Sequence, residues 1–161
     1  MQVNVAQLLK QAAGATRSYK IDDTLSFEEL TDYHVQGEME LIRTEKGILV
    51  RGVFSGKSRL VCSRCLTSFD YPLIFKIEEE FFPSIDVISG VPLSLADDST
   101  AFTIDEHHVL DLSEAMRQYG LLAIPMKPLC RPDCAGLCPQ CGANLNQGAC
   151  GCTPLSKIAL E

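Results

Sequence analysis

Six of the chain's eight cysteines fall between Cys130 and Cys152, in "PLCRPDCAGLCPQCGANLNQGACGC", and the other two, Cys62 and Cys65, stand far upstream as "CSRC". Disulfides, a metal ion and a thiol redox couple each make different demands on a sequence. The N-terminal segment "MQVNVAQLLKQAAGATRSYK" lacks a basic stretch followed by an apolar one. Nor does any run approach the roughly 20 apolar residues of a membrane span. The expected compartment is therefore the cytoplasm, with no membrane partner. In a reducing cytosol, closely spaced cysteines are better explained by metal or thiol chemistry than by disulfides.

Tetrahedral zinc takes thiolate sulfurs at about 2.3 Å, and CxxC at a turn brings two of them to one side of the chain. "CPQCG", from Cys138 to Gly142, has that form. Cys150 and Cys152 can converge on the same ion if Gly151 between them adopts a conformation other residues avoid. Cys138, Cys141, Cys150 and Cys152 thus form a first candidate set, with "ANLNQG" as a loop of turn formers between its pairs. Cys130, Cys134, Cys62 and Cys65 form a second, so one or two Zn²⁺ ions per chain are expected. Spacing alone equally allows Cys130 and Cys134 to join Cys138 and Cys141. An iron–sulfur cluster, or an unligated turn at CSRC, is compatible with the same residues.

The chain, 46% hydrophobic over its full length, is long enough for one substantial core. "VNVAQLLKQAAG" reads as one brief helix ending at Gly14, and residues 15–34 as an irregular or edge-strand entry. Ile48, Val50 and Phe54 share one parity, and Tyr71, Leu73, Phe75 and Ile77 share another, the period of half-buried strands. "EKG" and "SGKS" are the expected turns, and CSRC the corner before the next strand. A long loop, a short strand at "AFTID", and a helix over "DLSEAMRQYGLLAIP" follow, with Asp111 as N-cap and Leu112, Ala115, Met116, Tyr119 and Leu122 on one face. The expected fold is α+β: an antiparallel β-meander sheet packed by one or two helices, with a C-terminal cysteine-rich zinc-binding tail. Residues 1–125 would form the body and 126–161 the tail packed on it.

The net charge of −7 argues against a chain that coats nucleic acid, since affinity for phosphates comes from Lys and Arg. The charge is nevertheless unevenly spread. Residues 22–40 carry seven acids and no Lys or Arg, whereas residues 43–64 carry six bases against one acid. Arg43, Lys46, Arg51, Lys57, Arg59 and Arg64 are therefore candidate phosphate contacts, although they can equally pair with neighbouring acids. His34, His107 and His108 build no recognisable catalytic constellation, and neither a glycine-rich phosphate loop nor a nucleophile motif stands out. The expectation is a protein that is not an enzyme.

At "LVCSRCLTSFDYP", "DLSEAMRQYGLLAIPMKPLC" and "CAGLCPQCGANLNQGACGC", in that order, the chain resembles the YceD family of large ribosomal RNA subunit accumulation proteins. The likeness runs over roughly residues 35–153. That family is bacterial and plastid and is associated with accumulation of 23S rRNA, its gene often lying beside that of a large-subunit ribosomal protein. The resemblance implies a non-catalytic ribosome-biogenesis factor whose partner is rRNA or the pre-ribosomal large subunit. Two alternatives stand beside direct RNA contact: an acidic chaperone for a basic ribosomal protein, and a thiol redox protein using CSRC or CPQC.

Overall fold

The computed structural model describes residues 1–25, 33–93 and 101–152. Seven strands form one sheet: β1 (Gln2–Asn4), β2 (Thr16–Leu25), β3 (Tyr33–Arg43), β4 (Ile48–Val61), β5 (Ser68–Pro83), β6 (Phe102–Ile104) and β7 (Val109–Asp111). Helix α1 covers Ala6–Leu9, and α2 covers Ser113–Leu122. In space the strand order is β1-β7-β6-β5-β4-β3-β2. The chain divides into two compact units, Met1–Arg59 with Pro72–Ile124, and Leu60–Tyr71 with Pro125–Glu161. CSRC thus belongs with the cysteine-rich segment.

In the first unit, alternation along the long strands fixes the core. Ile48, Val50 and Phe54 on β4, Val35, Met39 and Leu41 on β3, and Leu73, Phe75 and Ile77 on β5 are buried, and their neighbours of opposite parity are largely exposed. Leu8 and Leu9 of α1 and Ala115 and Met116 of α2 complete it. Phe54 stacks on Phe75 with ring centroids 5.6 Å apart.

Several expectations need correction. The sheet is mixed rather than purely antiparallel, because β5 and β6 run parallel, with Phe81 opposite Phe102. Parallel neighbours require a crossover of a dozen or more residues, which the connection between Pro83 and Phe102 supplies. "SGKS" is no turn: β4 runs straight through it, and Ser55 and Gly56 pair with Gln36 and Val35 of β3. The tight turn is at residues 44–47, where Gly47 N–H donates to Thr44 Oγ1 at 2.8 Å. Of the two readings of residues 15–34, the edge strand holds over residues 16–25, which form the ten-residue strand β2. The N-terminal helix is a single turn behind a short strand. In α2 the N-cap is Leu112 rather than Asp111, and Leu122 is 80% exposed. Asp111 still accepts from Ser113 N–H at 2.8 Å, so it serves the same helix end one residue earlier.

Candidate metal centres

The CSRC corner is a tight turn at the junction of β4 and β5. Cys62 N–H donates to Thr67 O at 3.0 Å and Leu66 N–H to Cys62 O at 3.0 Å, with Leu66 in the left-handed region at φ 57°. Both thiols thereby point to one side. Ser63 N–H donates to Pro128 O at 2.8 Å, which lays the segment carrying Cys130 and Cys134 beside the corner. The four Sγ atoms of Cys62, Cys65, Cys130 and Cys134 lie within 4.8 Å of one another. Cys62 and Cys134 are 3.7 Å apart, and Cys65 and Cys130 are 3.6 Å apart. Four sulfurs at about 2.3 Å from one central ion stand about 3.8 Å from each other, whereas a disulfide holds them at about 2.05 Å. The spacing is that of a tetrahedral cage for one ion. A multi-iron cluster divides its four thiolates among two or four irons and so spreads the full set of sulfurs further. Cys62, Cys65 and Cys134 are buried among Phe69, Leu129 and Leu137.

The second group arises from a knuckle. Cys138 N–H donates to Ala143 O and Gly142 N–H to Cys138 O, at 2.8 and 2.9 Å, and Gly142 takes φ 72°, which favours glycine. Leu145 N–H donates to Gly136 O at 2.9 Å, closing a small hairpin in which Leu137 pairs with Asn144. The return brings Cys150 and Cys152 back, and the Sγ atoms of Cys138, Cys141, Cys150 and Cys152 again lie within 4.8 Å of one another. Gly151 is not the residue that bends: Gly148 carries the positive φ, at 149°. The groups are the two sets named first from the sequence, not the exchanged arrangement that spacing equally allowed. They differ in access, since Cys141 is exposed while three members of the first group are buried.

The titration behaviour fits crowded thiols that want a cation. Burial opposes ionisation of Cys62, but the amides of Cys130, Cys65 and Arg64 outweigh it and lower the thiol to about 6. Hydrogen bonds from the Thr67 side chain and amide lower Cys65 as well. Burial, then the surrounding thiols, push Cys130 up to about 12. The second group repeats the split. The amides of Cys141 and Gln140 lower Cys138 to about 6, while Cys141 followed by burial raises Cys152 to about 12. In each group some thiols ionise more readily while another holds its proton, because negative charge gathers among them. A bound dication removes that conflict, so both clusters can hold a metal ion.

Of the six basic candidates, Arg51, Lys57 and Arg59 share the exposed parity of β4. Arg51 is held by Glu78 at 2.7 Å and stands opposite Glu40, while Lys57 stands opposite His34. Arg43 is half-buried and turned inward, donating to the carbonyls of Leu9 at 3.1 Å and Gly47 at 3.0 Å. Lys46 is exposed in the β3–β4 turn. Arg64 lies in the cysteine unit, its guanidinium donating to Cys134 O at 3.0 Å. Sequence reasoning missed Thr67, Asn144 and Asn146, which bond to or beside the cysteines; as turn formers in a loop they carried no distinguishing signal.

The model of the large ribosomal RNA subunit accumulation protein YceD matches residues 50–158, more than half of the chain. The chain belongs to the YceD family. An uncharacterized protein of Mycobacterium tuberculosis is 30% identical over 109 residues, covering 67% of this chain and 50% of that protein. The large ribosomal RNA subunit accumulation protein YCED homolog 1, chloroplastic, of Arabidopsis thaliana is 28% identical over 139 residues, covering 73% and 43%. Its Zea mays namesake is 40% identical over 53 residues, covering 32% and 18%. The chain thus spans half or less of the length of these curated relatives. No solved structure matches. Among the described residues no helix is long and apolar enough to cross a membrane.

Proposed function

We propose that this YceD-family chain is a non-catalytic biogenesis factor of the large ribosomal subunit, acting in the cytoplasm to support synthesis, processing or stability of 23S rRNA. In this reading the eight cysteines hold one Zn²⁺ per cluster, which neutralises the thiolates and locks the cysteine unit into a docking shape. The observation that carries it is the family match, whose range contains all eight cysteines and whose description is rRNA accumulation. Zinc is favoured among metals because a single-ion tetrathiolate site with no redox demand is its usual structural setting. The test is deletion of the gene followed by measurement of the 23S to 16S rRNA ratio. Loss of 23S rRNA should be restored by the native gene and not by Cys65→Ser with Cys134→Ser. An unchanged ratio on deletion rejects the role.

The partner it meets, pre-ribosomal RNA or a basic large-subunit protein, depends on the charged faces. Three of the six bases are already engaged, Arg43 and Arg64 by carbonyls and Arg51 by Glu78. Together with the charge of −7, this favours a basic protein held by the acidic side chains of β2 and β3. If RNA is instead bound through Lys57 and Arg59, Lys57→Glu with Arg59→Glu must weaken it. Each lost phosphate contact should also flatten the log–log salt slope by roughly 0.7 on single strands. Capture of a basic ribosomal protein that persists after RNase treatment supports the protein partner; capture abolished by RNase overturns it.

A further inference from the structure

The loop that joins the two halves of the second cysteine group does not serve that group alone. Asn146 lies between Cys141 and Cys150, yet its Nδ2 donates to Cys134 Sγ of the first group at 3.4 Å. The orientation of the amide is dictated from its other side. Asn146 Oδ1 accepts from Arg131 at 2.6 Å and from Ala135 N–H at 2.8 Å, so only the NH₂ end can face the sulfur. Asn144 braces the same loop: its Oδ1 accepts from Asn146 N–H at 3.0 Å and from Asn146 Nδ2 at 2.8 Å. Asn144 Nδ2 reaches Thr67 Oγ1 at 3.3 Å, at the base of the CSRC turn. The knuckle of one group therefore supplies an outer-shell donor to the other.

We propose that the two metal centres are energetically coupled, with Asn146 as the positioning residue that carries the coupling. This rests on the reading of both cysteine groups as metal sites. An ion at Cys138, Cys141, Cys150 and Cys152 closes the loop between the pairs, and the closed loop holds the amide against Cys134. With the second site empty the loop keeps its bonds to Arg131, Ala135, Gly136 and Thr67 but loses the clamp that joins Cys141 to Cys150 on either side of Asn146, so the donor is held less firmly. Outer-shell partners of metal ligands affect affinity by about 10–100-fold. The coupling is reciprocal by thermodynamic necessity, so an ion in the first site must favour the second by the same factor.

The test uses the full chain loaded with Zn²⁺ and titrated with a chelator, with alkylation and peptide mass spectrometry reading which cysteines are freed at each step. Removing the second site by Cys141→Ser with Cys152→Ser should release Cys62, Cys65, Cys130 and Cys134 at roughly 10–100-fold weaker chelation. Asn146→Asp keeps the acceptor for Arg131 and Ala135 but deletes the donor, and should weaken the first site similarly. Combining both changes should add nothing further, because they break one linkage. A first site indifferent to loss of the second, effects that multiply, or an Asp variant with native affinity would each overturn the coupling. If the native chain binds no zinc, the metal reading itself falls; two ions held independently overturn the coupling alone.

Discussion

Metal removal should unfold one unit and spare the other. In the cysteine unit the apolar side chains packed around the buried thiols are Phe69, Leu129 and Leu137, all only partly buried. Complete burial of such a side chain contributes about 1.5–3 kcal/mol, so the three supply less than about 9 kcal/mol before any ordering cost. A structural tetrathiolate zinc site contributes about 10–16 kcal/mol in small domains. Ions bound at the two clusters would therefore dominate the stability of this unit. The first unit has its own core, in which Phe54, Phe81, Leu41, Ile77 and Leu110 are fully buried.

Hydrogen exchange separates these cases residue by residue. At free zinc about 100-fold above the dissociation constant, binding holds the ordered form by about 2.7 kcal/mol per site. Chelation should then speed exchange at the amides of Cys62, Leu66, Cys138, Gly142 and Leu145 by at least about 100-fold, the same energy expressed as an equilibrium. These amides donate to carbonyls within the cysteine unit. Amides in the β2–β3 and β3–β4 ladders should exchange as before. Collapse of those ladders on chelation, or full protection of Cys138 and Leu145 without metal, would refute the reasoning.

Gly47→Ala should lower the melting temperature of the whole first unit, because an added Cβ would sit 2.2 Å from Phe81 O, a backbone atom that cannot step aside; an unchanged thermal midpoint sinks this. Arg43→Met should destabilise by about 1–3 kcal/mol in urea unfolding, since the carbonyls of Leu9 and Gly47 lose a charged donor, and Lys should rescue only part of it. Tyr119 donates to Glu79 at 2.5 Å, and that bond, then burial, raises its hydroxyl to about 12. A raised acid contributes stability that is complete below pH 10 and is lost as pH rises through about 12. Ultraviolet titration should therefore show a late-titrating component that disappears in Tyr119→Phe; a titration curve whose late part is unchanged by Tyr119→Phe would contradict it.

What the sequence shows and hides follows from the range of each interaction. The parity of Ile48, Val50 and Phe54, and of Leu73, Phe75 and Ile77, is a local signal, and those strands stand where alternation puts them. The parallel partnership of Phe81 with Phe102 leaves no such trace, because nothing in a three-residue strand's period names its neighbour. Gly56 in "SGKS" reads as a turn residue but lies in β4 opposite Val35, where ladder bonds outweigh turn preference. Thr16–Leu25 alternates weakly because it is an edge strand with much of its length exposed. At the metal centres, CPQC with CGC is a local pattern and was readable. The meeting of Cys62 with Cys134 depends on Ser63 bonding Pro128, a contact that spacing cannot encode.

The family match begins at residue 50 and so includes most of β4, all of β5 and α2, and the entire cysteine unit as described, but not β2 or β3. The acidic side chains of Asp22, Asp23, Glu38 and Glu40 lie on those two strands, outside the matched range. The basic-protein reading thus depends on residues that the match does not include, whereas the rRNA-accumulation reading and both cysteine groups lie within it. The two can therefore be separated in one chain. Asp22→Asn, Asp23→Asn, Glu38→Gln and Glu40→Gln leave every cysteine and its hydrogen bonds untouched and remove four negative charges from the edge strand β2 and its neighbour β3, where the side chains are mostly solvated. Because exposed ion pairs such as Lys20–Glu38 contribute about 0–1 kcal/mol, the first unit should stay folded. If this variant keeps both zinc ions and restores 23S rRNA in a deletion strain, the working surface belongs to the matched region. If it keeps zinc but fails to restore 23S rRNA and no longer captures a basic ribosomal protein, the acidic strands are that surface.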